Sequence, residues 1–161
     1  MSLAHLLLRH AQQTPERAAI FNGTVVHATY GLWAARSAAL AQRLQAAGLV
    51  PGDSVVLFMR NHPRYLEILW AAWWAGLVVV PVNAKLHARE VEWIIDNAQA
   101  RWAFVTADVA PEALAGLECQ IDVETPQADA LLEPMGNTAL PVPAERQPDE
   151  TVEPLRRRKA E

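Results

Sequence analysis

The chain predicts an α/β fold: a layered, mainly parallel sheet flanked by helices, with a small β-hairpin before it and an irregular tail after it. Three observations carry this expectation. Short uncharged runs at residues 55–59, 77–80 and 102–106 have the apolar character of strands covered on both faces. Helical periodicity fills each interval between them. The joining loops are short, so successive strands return in one direction through right-handed crossovers. The pattern leaves the strand order open.

Residues 1–13 read as a helix ended by Thr14-Pro15, because the residue before a proline leaves helical space. This stretch lacks the charged n-region and small-residue cleavage site of a secretory signal. Residues 18–30 hold two β-prone runs around Asn22-Gly23, the dipeptide of a type I′ turn with positive φ at both central positions. Thr29 is placed to cap the next helix, a contribution of about 1 kcal/mol. Trp33, Leu40, Leu44 and Ala47 then recur at helical spacing, with Arg36 and Arg43 elsewhere on its surface. Gly48 supplies the left-handed residue that closes the helix, and Pro51-Gly52-Asp53 turns into the first strand.

After the loop Asn61-His62-Pro63, a helix over 64–75 has little polar surface beyond Arg64 and Glu67, so it is expected to be buried nearly all round. Its Trp70, Trp73 and Trp74 read as core. The uncharged stretch 68–82 is shorter than the ~20 residues that span a bilayer, and Gly76 and Pro81 interrupt it. A buried helix followed by a second buried strand accounts for it, and no transmembrane segment is expected. Val91, Ile94, Ile95 and Ala98 mark the core face of a further helix, with Arg89, Glu92 and Asp96 opposite. A third strand follows over 102–106, a short helix near 111–114 and a fourth strand over 119–123. From Glu124 onward the chain is proline-rich and lacks periodicity, so 1–123 is the expected α/β unit and 124–161 a loop or disordered tail.

The 52% hydrophobic and 20% charged fractions over 161 residues are those of a globular chain with a real core. A net charge of −4 gives no pull toward nucleic acid, and Arg156-Arg157-Arg158-Lys159 reads as a solvated tail because no basic surface elsewhere supports it. Cys119 is the sole cysteine; it forms no internal disulfide, fits a reducing cytoplasm and reads as an inert core residue. The histidines show no metal-ligand spacing, and neither a G-x-G-x-x-G nor a G-x-x-x-x-G-K-[ST] phosphate cradle is present.

A set of dispersed motifs between Leu6 and Asp108 resembles the opening segment of the adenylate-forming enzymes. That superfamily holds acyl-CoA synthetases, luciferases and nonribosomal adenylation domains. Thr29-Tyr30 matches the start of its T-Y-x-E-L, although Leu32 and Trp33 replace the Glu and Leu. Gly48-Leu49, Gly52-Asp53 and Val55 match G-[VI]-x-x-G-D-x-V, and Asn61 and Pro63 match N-x-P. Gly76, Val78, Pro81, Val82 and Asn83 match G-A-V-x-x-P-[LV]-N. Glu90-Val91, Ile94-Ile95 and Asp96-Asn97 match the helix E-[LI]-x-x-[IL]-[LI]-x-[DN].

The resemblance implies the N-terminal part of an ATP-dependent, AMP-forming acyl-CoA ligase for a fatty or aromatic acid. The complete parent would use ATP, magnesium and CoA with a carboxylic acid. Its phosphate loop, adenine-binding aromatic motif, ribose-binding aspartate and catalytic lysine all lie downstream in relatives, so this segment is expected to bind no cofactor and to be inactive alone. One contact is implied within it. Some relatives carry a basic residue two positions after the strand-end Asn, against a CoA nucleotide phosphate, and Lys85 stands there. Some of the tryptophans would line an acyl-binding wall in a complete enzyme. Residues 144–151 resemble the lead-in to the phosphate loop, after which Val152-Glu153-Pro154-Leu155 departs from the pattern; a reading frame lost near Glu150 is the expectation. The competing expectation is a stand-alone, non-catalytic interaction or regulatory module on the same fold. A truncated product would self-associate through exposed apolar surface.

Overall fold

The computed structural model describes residues 2–109, 111–136 and 139–145. The basic run and residues 146–155 lie outside them. Twelve elements follow in order. Helix α1 (Ala4–Gln13) leads into a hairpin of β1 (Ala18–Asn22) and β2 (Val25–Thr29), then α2 (Tyr30–Ala46). Next come β3 (Ser54–Phe58), α3 (Arg64–Trp74), β4 (Val78–Val82), α4 (Ala88–Ala98) and β5 (Trp102–Val105). A 3-10 turn (Pro111–Leu114), β6 (Cys119–Asp122) and α5 (Pro126–Leu132) complete them.

The main sheet has the order β4-β3-β5-β6, and every pairing is parallel. The chain therefore steps from β3 to β4 on one side, then passes back over β3 to β5. Two right-handed crossovers in opposite directions must put their helices on opposite faces. Packing shows this. Val55 and Leu57 of the central strand, with Met59 just after it, join Phe104 in a core with α1, α2, α3 and α5. Val56 and Phe58 point the other way and join Ala103, Val105, Val91 and Ile95 under α4. Val55, Val56, Leu57 and Phe58 are completely buried, as expected of a strand that has neighbours on both edges and both faces.

Four local expectations change. The hairpin turn is Gly23-Thr24, because Asn22 pairs with Val25. Among the described non-glycine residues Asn22 lacks positive φ, whereas Gly23 has φ +60°, which suits the first central position of a type II′ turn. β4 is an edge strand, not a covered one: Val78, Val79 and Val80 are half-buried and Pro81 is exposed, where its missing N–H costs no ladder bond. Ala47 is exposed, and Leu49 fills the core position beyond the helix. The stretch after Glu124 is not all loop. Pro126 occupies the first helical turn of α5, where a proline N–H is not needed, and Ala128 and Leu132 are buried against α2. The folded unit thus runs past residue 123. Residues 139–145 then return to the end of α3, with Trp74 Nε1 donating to the Pro141 carbonyl at 3.1 Å and Ala144 N–H to the Trp74 carbonyl at 2.8 Å.

The fifth change concerns charge. No residue of α3 is exposed, and Glu67, expected on its polar surface, is completely buried. Its Oε1 accepts hydrogen bonds from Arg36 at 2.8 Å and from His27 Nε2 at 3.1 Å. Ser37 Oγ donates to the Glu67 carbonyl at 3.0 Å. One buried carboxylate thereby joins β2, α2 and α3. Beside it, Tyr30, Trp33, Trp70 and Trp73 form a run of ring contacts, with centroids 6.1, 4.8 and 4.8 Å apart.

Removing a partner from a buried ion pair leaves a charge without compensation, which is more damaging than never having the pair. Arg36→Met is expected to lower unfolding free energy by about 2–3 kcal/mol, discounted from a fully buried pair because Arg36 is 28% exposed. Glu67→Gln, which keeps a hydrogen-bonding group, is expected to cost less. Urea midpoints check the order; an Arg36→Met protein as stable as the parent would remove the pin.

Candidate functional site

In open parallel sheets, ligands collect beyond the carboxyl ends of the strands, where the strand order reverses. Here that point is beside β3. The registers Phe58↔Val82 and Phe58↔Val105 bring three strand ends level. The loops that follow place Arg60 to His62, Asn83 to His87 and Thr106 to Asp108 along one edge.

Each loop is fixed by its own hydrogen bonds. Asn83 Oδ1 accepts from the Lys85 N–H at 3.0 Å, and its carbonyl from the Leu86 N–H at 3.0 Å. The His87 N–H donates to Glu90 Oε2 at 3.1 Å, which satisfies a free donor at the start of α4. Lys85 is therefore held by its backbone while its side chain is exposed. Arg60 N–H donates to Thr106 Oγ1 at 3.2 Å, and its guanidinium pairs with Asp108. Asp108 loses some solvation, but hydrogen bonds from Thr106 and Arg60 outweigh that and hold its carboxyl below the usual 3.8.

Two concavities flank this edge. One, of about 340 Å³, lies between the hairpin residues Ile20, Phe21 and Asn22 and the His62, Tyr65 and Leu66 side. His62 Nδ1 accepts from the Arg64 N–H at 3.2 Å. Burial, reinforced by the Arg64 charge, holds this imidazole below its usual 6.5; burial also pushes the Tyr65 hydroxyl up. The other, of about 410 Å³, lies along the outer side of α4.

Among the described residues no three His, Cys, Asp or Glu side chains come together, and each positive-φ glycine sits singly at a turn. No phosphoryl-transfer step is assigned to them. Burial pushes the Cys119 thiol up, away from reactivity. Among the described residues no helix is long and apolar enough to cross a membrane.

Lys85, singled out from the sequence, lies in the turn three residues after β4. Sequence reasoning missed Arg60 and Asp108, which meet only through the β3–β5 register, and the Glu67 cluster, whose members are 31 and 40 positions apart.

The fold and its edge define a doubly wound α/β unit that presents a ligand-accessible carboxyl end. Residues 7–158 match the AMP-binding enzyme family. A feruloyl-CoA synthase of an Amycolatopsis species is 37% identical over 110 residues, covering 68% of this chain and 22% of that protein. A 2-succinylbenzoate–CoA ligase of Geobacillus kaustophilus is 35% identical over 115 residues, 71% of this chain and 22% of that protein. The crystal structure of the N-terminal domain of FACL13 from Mycobacterium tuberculosis superposes with a TM-score of 0.76 at 25% identity, covering 91% of this chain and 39% of that one. The chain belongs to the AMP-binding enzyme family. It spans about a fifth of the length of these two curated relatives.

The His62 environment makes a pH prediction. A histidine whose folded pKa is depressed contributes stability above its ordinary pKa, lost as pH falls through the lower folded value. By NMR, His62 should titrate below 6.5, and acid destabilisation from about that pH downward should be smaller in His62→Gln. Titration at or above 6.5 would contradict the burial argument.

Proposed function

We propose that this chain is the N-terminal α/β scaffold of an ATP-dependent, AMP-forming ligase that joins a carboxylic acid to coenzyme A. The observation that carries this reading is the family match over 7–158. The names of both curated relatives reported above include coenzyme A, which supports CoA as the thiol. In this reading Lys85 meets a CoA phosphate as a point charge, without the two-pronged geometry an arginine offers. Its exposure at the carboxyl end of β4 supports that role. In this reading the 161 residues do not carry out adenylation by themselves.

Two assays test this. ATP–pyrophosphate exchange by the purified chain, with fatty and aromatic acids, is expected to stay at background; acid-dependent exchange would overturn the claim of inactivity. Calorimetric titration with CoA is expected to show binding weakened about tenfold by Lys85→Ala and retained by Lys85→Arg. Unchanged affinity in Lys85→Ala would remove the lysine from the site.

A further inference from the structure

Glu67 and Trp70 each keep one polar atom that the frame leaves unused. Glu67 is completely buried, and both hydrogen bonds to its carboxylate, from Arg36 and His27, end on Oε1. Its Oε2 is enclosed and has no hydrogen-bond partner among the described residues. The indole Nε1 of Trp70 is enclosed and unpartnered in the same way. Burying a polar atom without a partner is costly, and native interiors rarely tolerate it.

The two atoms are neighbours. Glu67 and Trp70 lie three positions apart on α3, so their side chains leave one face of the helix with Cβ atoms about 5–6 Å apart. That face meets α2: Arg36 and Ser37 hold Glu67, and the Trp33 ring packs edge-on to Trp70 at 4.8 Å. The carboxylate oxygen accepts and the indole donates, yet the two do not bond each other. Nearby donors are engaged elsewhere. Trp33 Nε1 donates to the Leu66 carbonyl at 3.2 Å and Ser37 Oγ to the Glu67 carbonyl at 3.0 Å.

The pair selects its ligand by chemistry. A carboxylate repels an anion. A cation accepts nothing from an indole N–H, and the Arg36 guanidinium already stands against the carboxylate at 2.8 Å. The occupant must donate to one atom, accept from the other and fit a buried gap. Water does all three, and two bonds of about 2.7–3.0 Å match the spacing.

We infer that one buried water bridges Glu67 Oε2 and Trp70 Nε1. It donates an O–H to the carboxylate and accepts the indole N–H, which completes the hydrogen bonding of the face where α3 meets α2. It also fixes the Trp70 ring between Trp33 and Trp73, so the water is a structural ligand of this joint.

The full 161-residue chain, labelled with 15N, is tested through cross-peaks between water and the indole N–H protons. Paired NOE and ROE spectra separate a bound water from proton exchange by relative sign. The Trp70 resonance is identified by its contacts with the Trp33 and Trp73 rings and by its loss in Trp70→Phe. The expected result is a dipolar water cross-peak at Trp70 and none at Trp74, whose Nε1 donates to the Pro141 carbonyl. A double-mutant cycle with Glu67→Gln and Trp70→Phe tests the bridge. Gln turns its amide oxygen to Arg36 and leaves an NH2 where Oε2 stood, so either single variant breaks the bridge. The folding constant of the double variant should exceed the value expected from independent effects by about fivefold. Coupling without the cross-peak would show a direct bond between the side chains and overturn the water. The cross-peak without coupling would put the water on the indole alone and overturn the bridge. Absence of both would overturn the inference outright. Where a variant does not fold, the cross-peak on the parent decides.

Discussion

The structure depends on β3 being enclosed on four sides. β4 and β5 satisfy its two edges, and two apolar layers cover its faces. A strand in that position tolerates no charge, and Val55 to Phe58 carry none. The same enclosure fixes the rest. Parallel pairing on both sides requires two crossovers in opposite directions, which sends α3 to one face and α4 to the other. It also gathers the loops after β3, β4 and β5 along a single edge. The candidate site is therefore a consequence of how the central strand is buried.

Charged side chains act mainly as clips on this frame. Glu67 ties the hairpin to two helices from inside the core. At the amino ends of the strands, Arg101 pairs with Asp53 at 3.0 Å and with Glu118 at 2.9 Å, joining the entries to β3 and β6. The Glu118 carboxyl is held below its usual 4.5 by the hydrogen bond from Arg101. Arg64 reaches the Val123 carbonyl and Asp129, which seats α5 beside the end of β6. Exposed pairs of this kind add little stability each, so their main effect is to fix loop positions. Lys85 and Arg89 stand apart from the pairs that clip the frame.

Much of this was legible in the sequence. The strands at 55–59 and 102–106 were visible because full burial leaves an uninterrupted apolar run, and the observed β3 and β5 begin within one residue of them. Thr29 capped its helix as read, accepting from the Leu32 N–H at 3.3 Å. Three of the failures share a cause: they depended on contacts distant in sequence. β4 looked buried because valines suit an edge as well as a centre, and only sheet order distinguishes the two. Glu67 looked like surface because nothing local announces Arg36 and His27 as partners. Helix α5 was hidden because seven residues give periodicity too little length, and its support comes from α2. The site was partly legible for the same reason. Lys85 follows from a local motif, whereas the Arg60–Asp108 pair needs the register of two strands.

Native-state amide hydrogen exchange tests the central role of β3 most directly. If its enclosure holds the fold together, the amides of Val55 to Phe58 will exchange only through global unfolding, at the free energy given by urea denaturation, while those of the β1–β2 hairpin open at lower cost. Exchange of β3 through a local opening, at or below the free energy of the hairpin, would contradict the account.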